Sequence, residues 1–157
     1  TKVRRVVKGG ESRTESVLAG LRETDPQASL IAIHDGARPF LPLEVLEQTI
    51  ETARQRGAAA PALPVKDTIK VAREGGVQQT RARLFGVQTP QVFEASLIKG
   101  ALTKAWEEGA ALTDDCSAVE RIGFPVCLTQ GSEENIKITT PRDLTWGEAI
   151  LAERMGR

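Results

Sequence analysis

The feature that most restricts the fold of this 157-residue chain is the alternation of short strand patterns with longer helix patterns. The strand patterns are rich in β-branched or small apolar residues, as in strands covered on both faces. They lie at 3–7, 30–33, 58–65, 126–129 and 136–138. Apolar residues at helical spacing lie between them, at Leu43, Leu46, Ile50 and Ala53, over 97–105, and in a terminal helix from 144. This order predicts an α/β domain with a largely parallel sheet.

Charge and composition exclude several classes of function. The chain has 21 Lys or Arg and 21 Asp or Glu, so it lacks the surplus of positive charge that duplex nucleic acid requires. No apolar run approaches the ~20 residues that cross a bilayer. Two cysteines and one histidine do not make a disulfide framework, a zinc ribbon or a His-rich metal site. We therefore expect one cytoplasmic domain over 1–157, with no nucleic-acid or membrane partner.

Three helix starts are signalled by capping residues. Ser12 and Glu15 have the spacing of a capping box. Residues 140–143 place a threonine cap, a first-turn proline and an early acid in the right order. Thr113 stands before two aspartates, which predicts a threonine cap with two acids in the first turn.

Residues 66–88 interrupt the alternation. Polar and apolar side chains alternate over 68–71, a turn pattern follows at 74–76, and 77–83 can return antiparallel. An isolated hairpin is marginally stable in water, so we expect this one to pack on another surface, with a second subunit as the candidate.

The first candidate site follows the strand pattern at 30–33. Ligands in open α/β sheets bind at the carboxyl ends of strands. Asp35 at that edge suits a substrate hydroxyl or a magnesium ion, and Arg38 suits bidentate phosphate binding. The alternative is an internal pair of Asp35 and Arg38 that shapes the turn.

Other candidates have equally plain alternatives. Glycines at 9–10 before a helix suit a ligand close to the backbone, or simply a tight turn. Thr113 suits a phosphate contact, or only a helix cap. Asp114 and Asp115 suggest a metal site and hence a metal-dependent phosphatase. Lys137 suits a transferring phosphoryl group, or is a solvated lysine.

Six segments in register give a more specific indication. They are GGESRTESVLAGL (9–21), HDGARPF (34–40), PVKDTIK (64–70), QTPQVFEASL (88–97), LTDDCSAVERIG (112–123) and NIKITTPRDL (135–144). In order and spacing, the chain resembles the 2-C-methyl-D-erythritol 4-phosphate cytidylyltransferases of non-mevalonate isoprenoid biosynthesis. The resemblance implies a Rossmann-like, glycosyltransferase-A-like nucleotidyltransferase fold with a mixed, mainly parallel sheet. It also implies in-line attack of the sugar phosphate on CTP with magnesium, which is catalysis by positioning and charge stabilisation.

The resemblance also implies roles for single residues on the nucleotide side. It places cytosine recognition at Gly10, Glu11 and Ser16, and the ribose contact at Gly36. It places Asp35 beside the metal and the hydroxyls of the acceptor.

On the acceptor side, Arg81 and Lys137 are the implied catalytic residues that position the acceptor for attack. The other implied contacts are Thr89 and Thr113 around the acceptor phosphate, and Arg38 and Thr68 near a dimer interface. The 66–88 hairpin matches an arm that is exchanged between the subunits of a homodimer.

Three alternatives to that assignment stay open. The first arises because one motif of the family is missing from this sequence. The family begins with a strand and a glycine-rich loop that bind the CTP triphosphate, and nothing in this sequence matches them. We therefore expect an N-terminally incomplete domain, and the chain could be an inactive dimerisation or sugar-phosphate-binding fragment. Ribitol-5-phosphate cytidylyltransferase shares the layout and differs in its acceptor pocket. The phosphatase at Asp114 and Asp115 is the third alternative.

Overall fold

The computed structural model describes residues 2–73, 76–79 and 83–156. The helices are α1 (Arg13–Arg22), α2 (Leu43–Arg56), α3 (Ala95–Glu107), α4 (Asp115–Arg121) and α5 (Pro141–Met155). The strands are β1 (Leu30–Ile33), β2 (Ala58–Pro64), β3 (Lys70–Arg73), β4 (Gly76–Gln79), β5 (Phe85–Val87), β6 (Gln91–Glu94) and β7 (Cys127–Gln130). No helix among these residues has the length and apolarity to span a bilayer.

Strand β2 is the centre of the main sheet. One edge of β2 pairs with β7 in parallel, and the other pairs antiparallel with β6 and then β5. Because β1 pairs antiparallel with β6, β1 and β2 point the same way and α2 crosses over between them. The predicted α/β fold with a mixed sheet is confirmed. The sheet is less parallel than predicted, since only one of its four pairings among the described residues is parallel. The reason is that β6 returns between β1 and β2.

Helices cover both faces of this sheet. On one face Ala58, Ala60 and Phe93 pack in the core cluster that includes residues of α1, α3 and α4. On the other face Ala59 and Val92 pack with Ala53 of α2. Successive residues of β2 thus enter different layers, which explains its unbroken run of small apolar residues.

The helix starts follow the capping patterns, with one correction. The capping box predicted at Ser12 is present, and α5 begins after Thr140 as predicted, with the Thr140 N–H donating to the Asp143 carboxylate at 2.8 Å. The cap of α4 is Asp114 rather than Thr113, because the Asp114 carboxylate accepts from the Ser117 N–H at 2.9 Å. A negative carboxylate at this position also interacts favourably with the positive end of the helix dipole.

The buried stripe of α2 also differs from the prediction. The helix buries Val45, Thr49 and Ala53, whereas Leu43 is 63% exposed. These three residues are spaced by four and so form one row along the helix, which is the row facing the sheet. Leu43 is the first residue of the helix and lies off that row.

Two predicted strands are wrong. Residues 3–7 are exposed and form no ladder with the described residues, although Arg5 contacts Glu23 of the α1 C-cap. Residues 136–138 form a loop: the Ile138 N–H donates to the carbonyl of Ala37 at 2.8 Å, without a neighbouring ladder. β-Branched composition favours strands, but a strand also needs a hydrogen-bonded partner.

The predicted hairpin is confirmed as a separate two-stranded sheet. Strands β3 and β4 pair antiparallel, with Lys70 opposite Gln79 and Arg73 opposite Gly76. Residues 74 and 75 of the predicted turn, and residues 80–82 of the predicted return strand, lie outside the described residues.

Candidate functional site

The loop after β1 holds an aspartate close to three cations. The Nζ of Lys137 lies 3.0 Å from Oδ2 of Asp35. A guanidinium nitrogen of Arg13 lies 3.7 Å, and one of Arg38 lies 3.8 Å, from the same carboxylate. Burial opposes ionisation of Asp35, but the Lys137 hydrogen bond and the three positive charges outweigh it and hold its pKa below the ordinary value. Asp35 is therefore a stable anion that can orient cationic side chains.

The backbone of Asp35 is fixed by Thr89. The Asp35 N–H donates to Thr89 Oγ1 at 3.0 Å, and that hydroxyl lies 2.9 Å from Nδ1 of His34. Nε2 of His34 lies 3.0 Å from the carbonyl oxygen of Arg38, which can only accept. A neutral His34 therefore carries its proton on Nε2, and Thr89 donates to Nδ1. The predicted site residue Thr89 thus organises the loop that presents Asp35.

Arg13 links this loop to α4, a connection that the sequence reasoning missed. It is the first residue of α1, and its guanidinium binds both carboxylate oxygens of Asp115, at 2.8 and 2.7 Å. Asp115 is buried, with 1% of its side chain exposed, whereas Arg13 is 41% exposed. The hydrogen bond to Asp115 raises the pKa of Arg13 above its ordinary value, although burial acts against it. The one visible signal is an arginine at the first position after a helix cap.

The two consecutive aspartates have separate structural tasks. Gln91 accepts from the N–H groups of Asp115 and Cys116 at 3.1 and 3.0 Å, and donates to Asp114 at 2.8 Å. Asp114 caps α4 while Asp115 binds Arg13. Both carboxylates are thus engaged, and no cluster of three or more metal-binding side chains occurs among the described residues. The phosphatase alternative therefore loses the feature that suggested it.

Thr113 lies beside this helix start with its hydroxyl 2.9 Å from Ser117 Oγ. Ser117 donates its own proton to the Asp114 carboxylate, so it must accept from Thr113. Thr113 is exposed. Its hydroxyl must turn away from Ser117 in order to donate to a phosphate.

The residues predicted for cytosine recognition meet at the N-terminus of α1. The Gly10 N–H donates to Ser16 Oγ at 3.1 Å, and the Glu11 N–H donates to Glu15 at 2.7 Å. A Cβ added to Gly10 would lie 2.3 Å from Cβ of Glu15, so only glycine fits there. This close packing agrees with a tight turn and leaves the nucleotide role as a proposal.

The remaining predicted residues belong either to the loop around Asp35 or to the 66–88 segment. Gly36 follows Asp35, and an added Cβ would meet nothing within 4 Å, so alanine would fit. Arg38 turns inward and donates to the Asn135 carbonyl at 2.6 Å; burial lowers its pKa. Thr68 is exposed between β2 and β3, and Arg81 lies outside the described residues.

A magnesium ion held by the protein does not fit at Asp35. Its carboxylate is already bound to Lys137 and lies near two guanidinium groups, which would repel a divalent cation. A magnesium site of the usual kind combines one or two carboxylates with substrate phosphates and waters. At this site the described residues offer one carboxylate, that of Asp35, and three positively charged side chains already surround it.

Comparison with known proteins gives consistent results. The family model of 2-C-methyl-D-erythritol 4-phosphate cytidylyltransferase matches residues 1–153. Proteins of that name from Halalkalibacterium halodurans and Geobacillus kaustophilus are 47% and 49% identical to the chain. The first match covers 100% of this chain and 69% of the relative, and the second covers 98% and 68%. The chain thus spans about two thirds of the length of these relatives.

Solved structures agree. The crystal structure of the enzyme of that name from Thermus thermophilus matches with a TM-score of 0.84 and 34% identity, over 93% of this chain and 72% of that one. A 4-diphosphocytidyl-2C-methyl-D-erythritolsynthase from Anaerococcus prevotii matches with a TM-score of 0.88 and 35% identity, over 94% and 67% of the two chains.

Proposed function

Because the chain belongs to the family of 2-C-methyl-D-erythritol 4-phosphate cytidylyltransferases, we propose that it transfers a cytidylyl group from CTP to 2-C-methyl-D-erythritol 4-phosphate and releases pyrophosphate. The reaction belongs to non-mevalonate isoprenoid biosynthesis. A cytoplasmic location is part of the proposal. It rests on the family and on the absence of a membrane-spanning helix from the described residues.

The observation that carries the proposal is the charge of the site. Arg13, Arg38 and Lys137 supply three cations, against the carboxylates of Asp35 and Asp115. Lys137 is the most exposed of the three cations, with 47% of its side chain exposed. Phosphoryl transfer needs charge stabilisation at a positioned site more than it needs a covalent nucleophile. This composition suits a substrate that carries several phosphates.

In the proposed reaction Lys137 neutralises the charge that develops on the transferring phosphoryl group. Asp35 holds the ammonium until the substrates bind, and then faces the acceptor hydroxyls. Arg81, Thr89 and Thr113 are proposed for the acceptor phosphate. The contacts proposed for the nucleotide and the interface are Gly10, Glu11, Ser16, Gly36, Arg38 and Thr68.

Magnesium is proposed only as a companion of the nucleotide phosphates. The poor fit at Asp35 argues against an ion held by the protein alone, and Mg²⁺ commonly binds through substrate phosphates.

A homodimer through the 66–88 arm is also proposed. The arm and its base expose apolar side chains at Val65, Ile69, Val71 and Phe85, each between 37% and 44% exposed. The two strands of the arm form their own sheet, and a lone hairpin is marginally stable. A second copy that covers these side chains would remove both problems.

The test is pyrophosphate release from CTP and magnesium by the full-length protein, with methylerythritol phosphate and ribitol 5-phosphate as rival acceptors. Release with methylerythritol phosphate supports the proposal. A preference for ribitol 5-phosphate, or no release from a folded protein with either acceptor, contradicts it.

A further inference from the structure

Asn135 is a fully buried residue that joins two loops of the site. Its Nδ2 donates to the main-chain carbonyl oxygen of Thr89 at 2.8 Å, and the main-chain carbonyl of Asn135 accepts from Arg38 at 2.6 Å. The second neighbour of Nδ2, at 3.4 Å, is Oε1 of Gln88. Both neighbours are placed to accept, so the orientation of the Asn135 amide is fixed. Asn135 therefore connects the loop that contains Arg38 with the segment that contains Thr89.

Lys137 lies close to this connection along the chain. Lys137 lies in a loop two residues after Asn135, where no ladder or helix fixes the backbone. Beyond Lys137, the Ile138 N–H donates to the carbonyl of Ala37, and the N–H groups of Thr139 and Thr140 donate to the carboxylate of Asp143. The amide of Asn135 is thus the buried anchor nearest to the ammonium group that reaches Asp35.

Gln88 holds the same loop from its other end. Its Nε2 donates to the carbonyl of Ser132 at 2.8 Å, and its Oε1 accepts from the Ser132 N–H at 3.2 Å. A Cβ added to Gly131 would lie 2.7 Å from Oε1 of Gln88, so the loop packs directly on this amide. Two buried amides therefore hold the segment that leads to Lys137.

The other polar atom of the Asn135 side-chain amide has no partner in the described part of the protein. Oδ1 of Asn135 is buried and has no hydrogen-bond partner among the described residues. The side chain of Asn135 is thus held through Nδ2.

We propose that Asn135 is a positioning residue for Lys137, and that Gln88 assists it from the other end of the loop. The expected effect on kcat rests on the proposed function. The structural claim, that the two amides keep the Lys137 ammonium on Asp35, does not depend on it.

The test compares Asn135→Ala and Gln88→Met with Thr49→Val in the full-length protein. Thr49 is equally buried, and its hydroxyl bonds Val45 at 2.7 Å and Thr129 at 3.1 Å, away from the site. One readout is kcat and KM for both substrates. The other is the rate of reductive methylation of Lys137 by formaldehyde and borohydride, measured by mass spectrometry relative to Lys104 of α3. The second readout needs no enzymatic activity.

In Asn135→Ala we expect kcat to fall on the order of 10²-fold, because small displacements of a positioned group cost that much. KM for CTP should change little. In both Asn135→Ala and Gln88→Met, Lys137 should be methylated faster relative to Lys104 than in the wild type. The fall in kcat should be smaller in Gln88→Met than in Asn135→Ala. Thr49→Val should change neither kcat nor the relative methylation rate, even at an equal loss of stability.

A folded Asn135→Ala protein with unchanged kcat, or with an unchanged methylation rate of Lys137, overturns the proposal. If Asn135→Ala does not fold, Gln88→Met decides by the same two readouts. A wild-type protein without cytidylyl transfer would contradict the proposed function, and the methylation rates would still decide the role of Asn135.

Discussion

The ammonium of Lys137 lies 3.0 Å from Oδ2 of Asp35, the shortest of the three contacts between a cation and this carboxylate. Lys137 is 47% exposed and Asp35 is 18% exposed. The lysine can therefore leave the pair for a substrate phosphate, whereas the aspartate stays in place. Among the three cations beside Asp35, Lys137 is thus the most exposed.

Replacement of Lys137 by alanine should lower kcat on the order of 10²-fold, because a charge that stabilises the transition state is lost. Its effect on the free energy of unfolding should be at most about 1 kcal/mol, since the pair is partly exposed. Steady-state kinetics and urea denaturation measure the two effects. Lys104→Ala is the matched control, because Lys104 is an exposed lysine paired with Glu108 at 4.0 Å. Parallel losses of folded protein and activity would refute the role of Lys137.

Lys137→Gln should raise the pKa of Asp35. Burial already opposes ionisation, and the hydrogen bond and charge of Lys137 are the largest influences in the other direction. In the wild type the lowered pKa means that the ionised Asp35 stabilises the fold at neutral pH, and that this contribution is lost as the pH falls through the folded-state pKa. The variant should gain less stability from the ionised Asp35, because its folded-state pKa is raised toward or above the unfolded-state pKa. Carbon-detected NMR titration of the aspartate carboxyls checks this; an unchanged Asp35 pKa would contradict it.

The local elements were predictable because their signals are local. The capping box of Ser12 and Glu15 and the strand Leu30–Ile33 need only neighbouring residues to be read. The segment at 136–138 has the composition of a strand, but no partner strand lies beside it among the described residues. Composition cannot show whether a partner is present.

The site divides in the same way. Asp35 and Lys137 could be predicted as site candidates from local patterns. Asp35 follows the strand pattern at 30–33, and Lys137 lies within the strand-like pattern at 136–138. Arg13, Gln91 and Asn135 were missed because their partners lie far along the chain, as when Arg13 binds Asp115. Only the fold brings these polar groups together in the interior.

Arg13→Ala should lower the free energy of unfolding by about 2 kcal/mol, because buried Asp115 loses its bidentate partner; the half-exposed position of Arg13 keeps the loss below that of a fully buried pair. A double-mutant cycle with Asp115→Asn should give a coupling energy of about 1–2 kcal/mol. Denaturant unfolding of the four proteins measures it. A cycle on the exposed pair of Arg121 and Glu108, 3.1 Å apart, is the control and should give less than about 1 kcal/mol. Equal coupling in both cycles would show that the Arg13 contact is an ordinary surface pair.

Ile69→Asp should convert the proposed dimer to monomers, because a charge would be buried in the apolar contact of the arm. Ile122→Asp is the control: Ile122 is similarly exposed, 41% against 38%, but lies at the end of α4. Sedimentation equilibrium measures the mass of each protein in solution. A wild-type monomer, or an Ile69→Asp dimer of wild-type affinity, would contradict the role of the arm.

The most direct test of cytidylyl transfer is the ³¹P NMR spectrum of the products formed by the full-length protein from CTP, magnesium and methylerythritol phosphate. The account predicts a new pair of coupled diphosphate signals, with one pyrophosphate for each product, and neither without CTP. Inorganic phosphate released from the sugar phosphate without CTP, or an unchanged spectrum from folded protein, would contradict it.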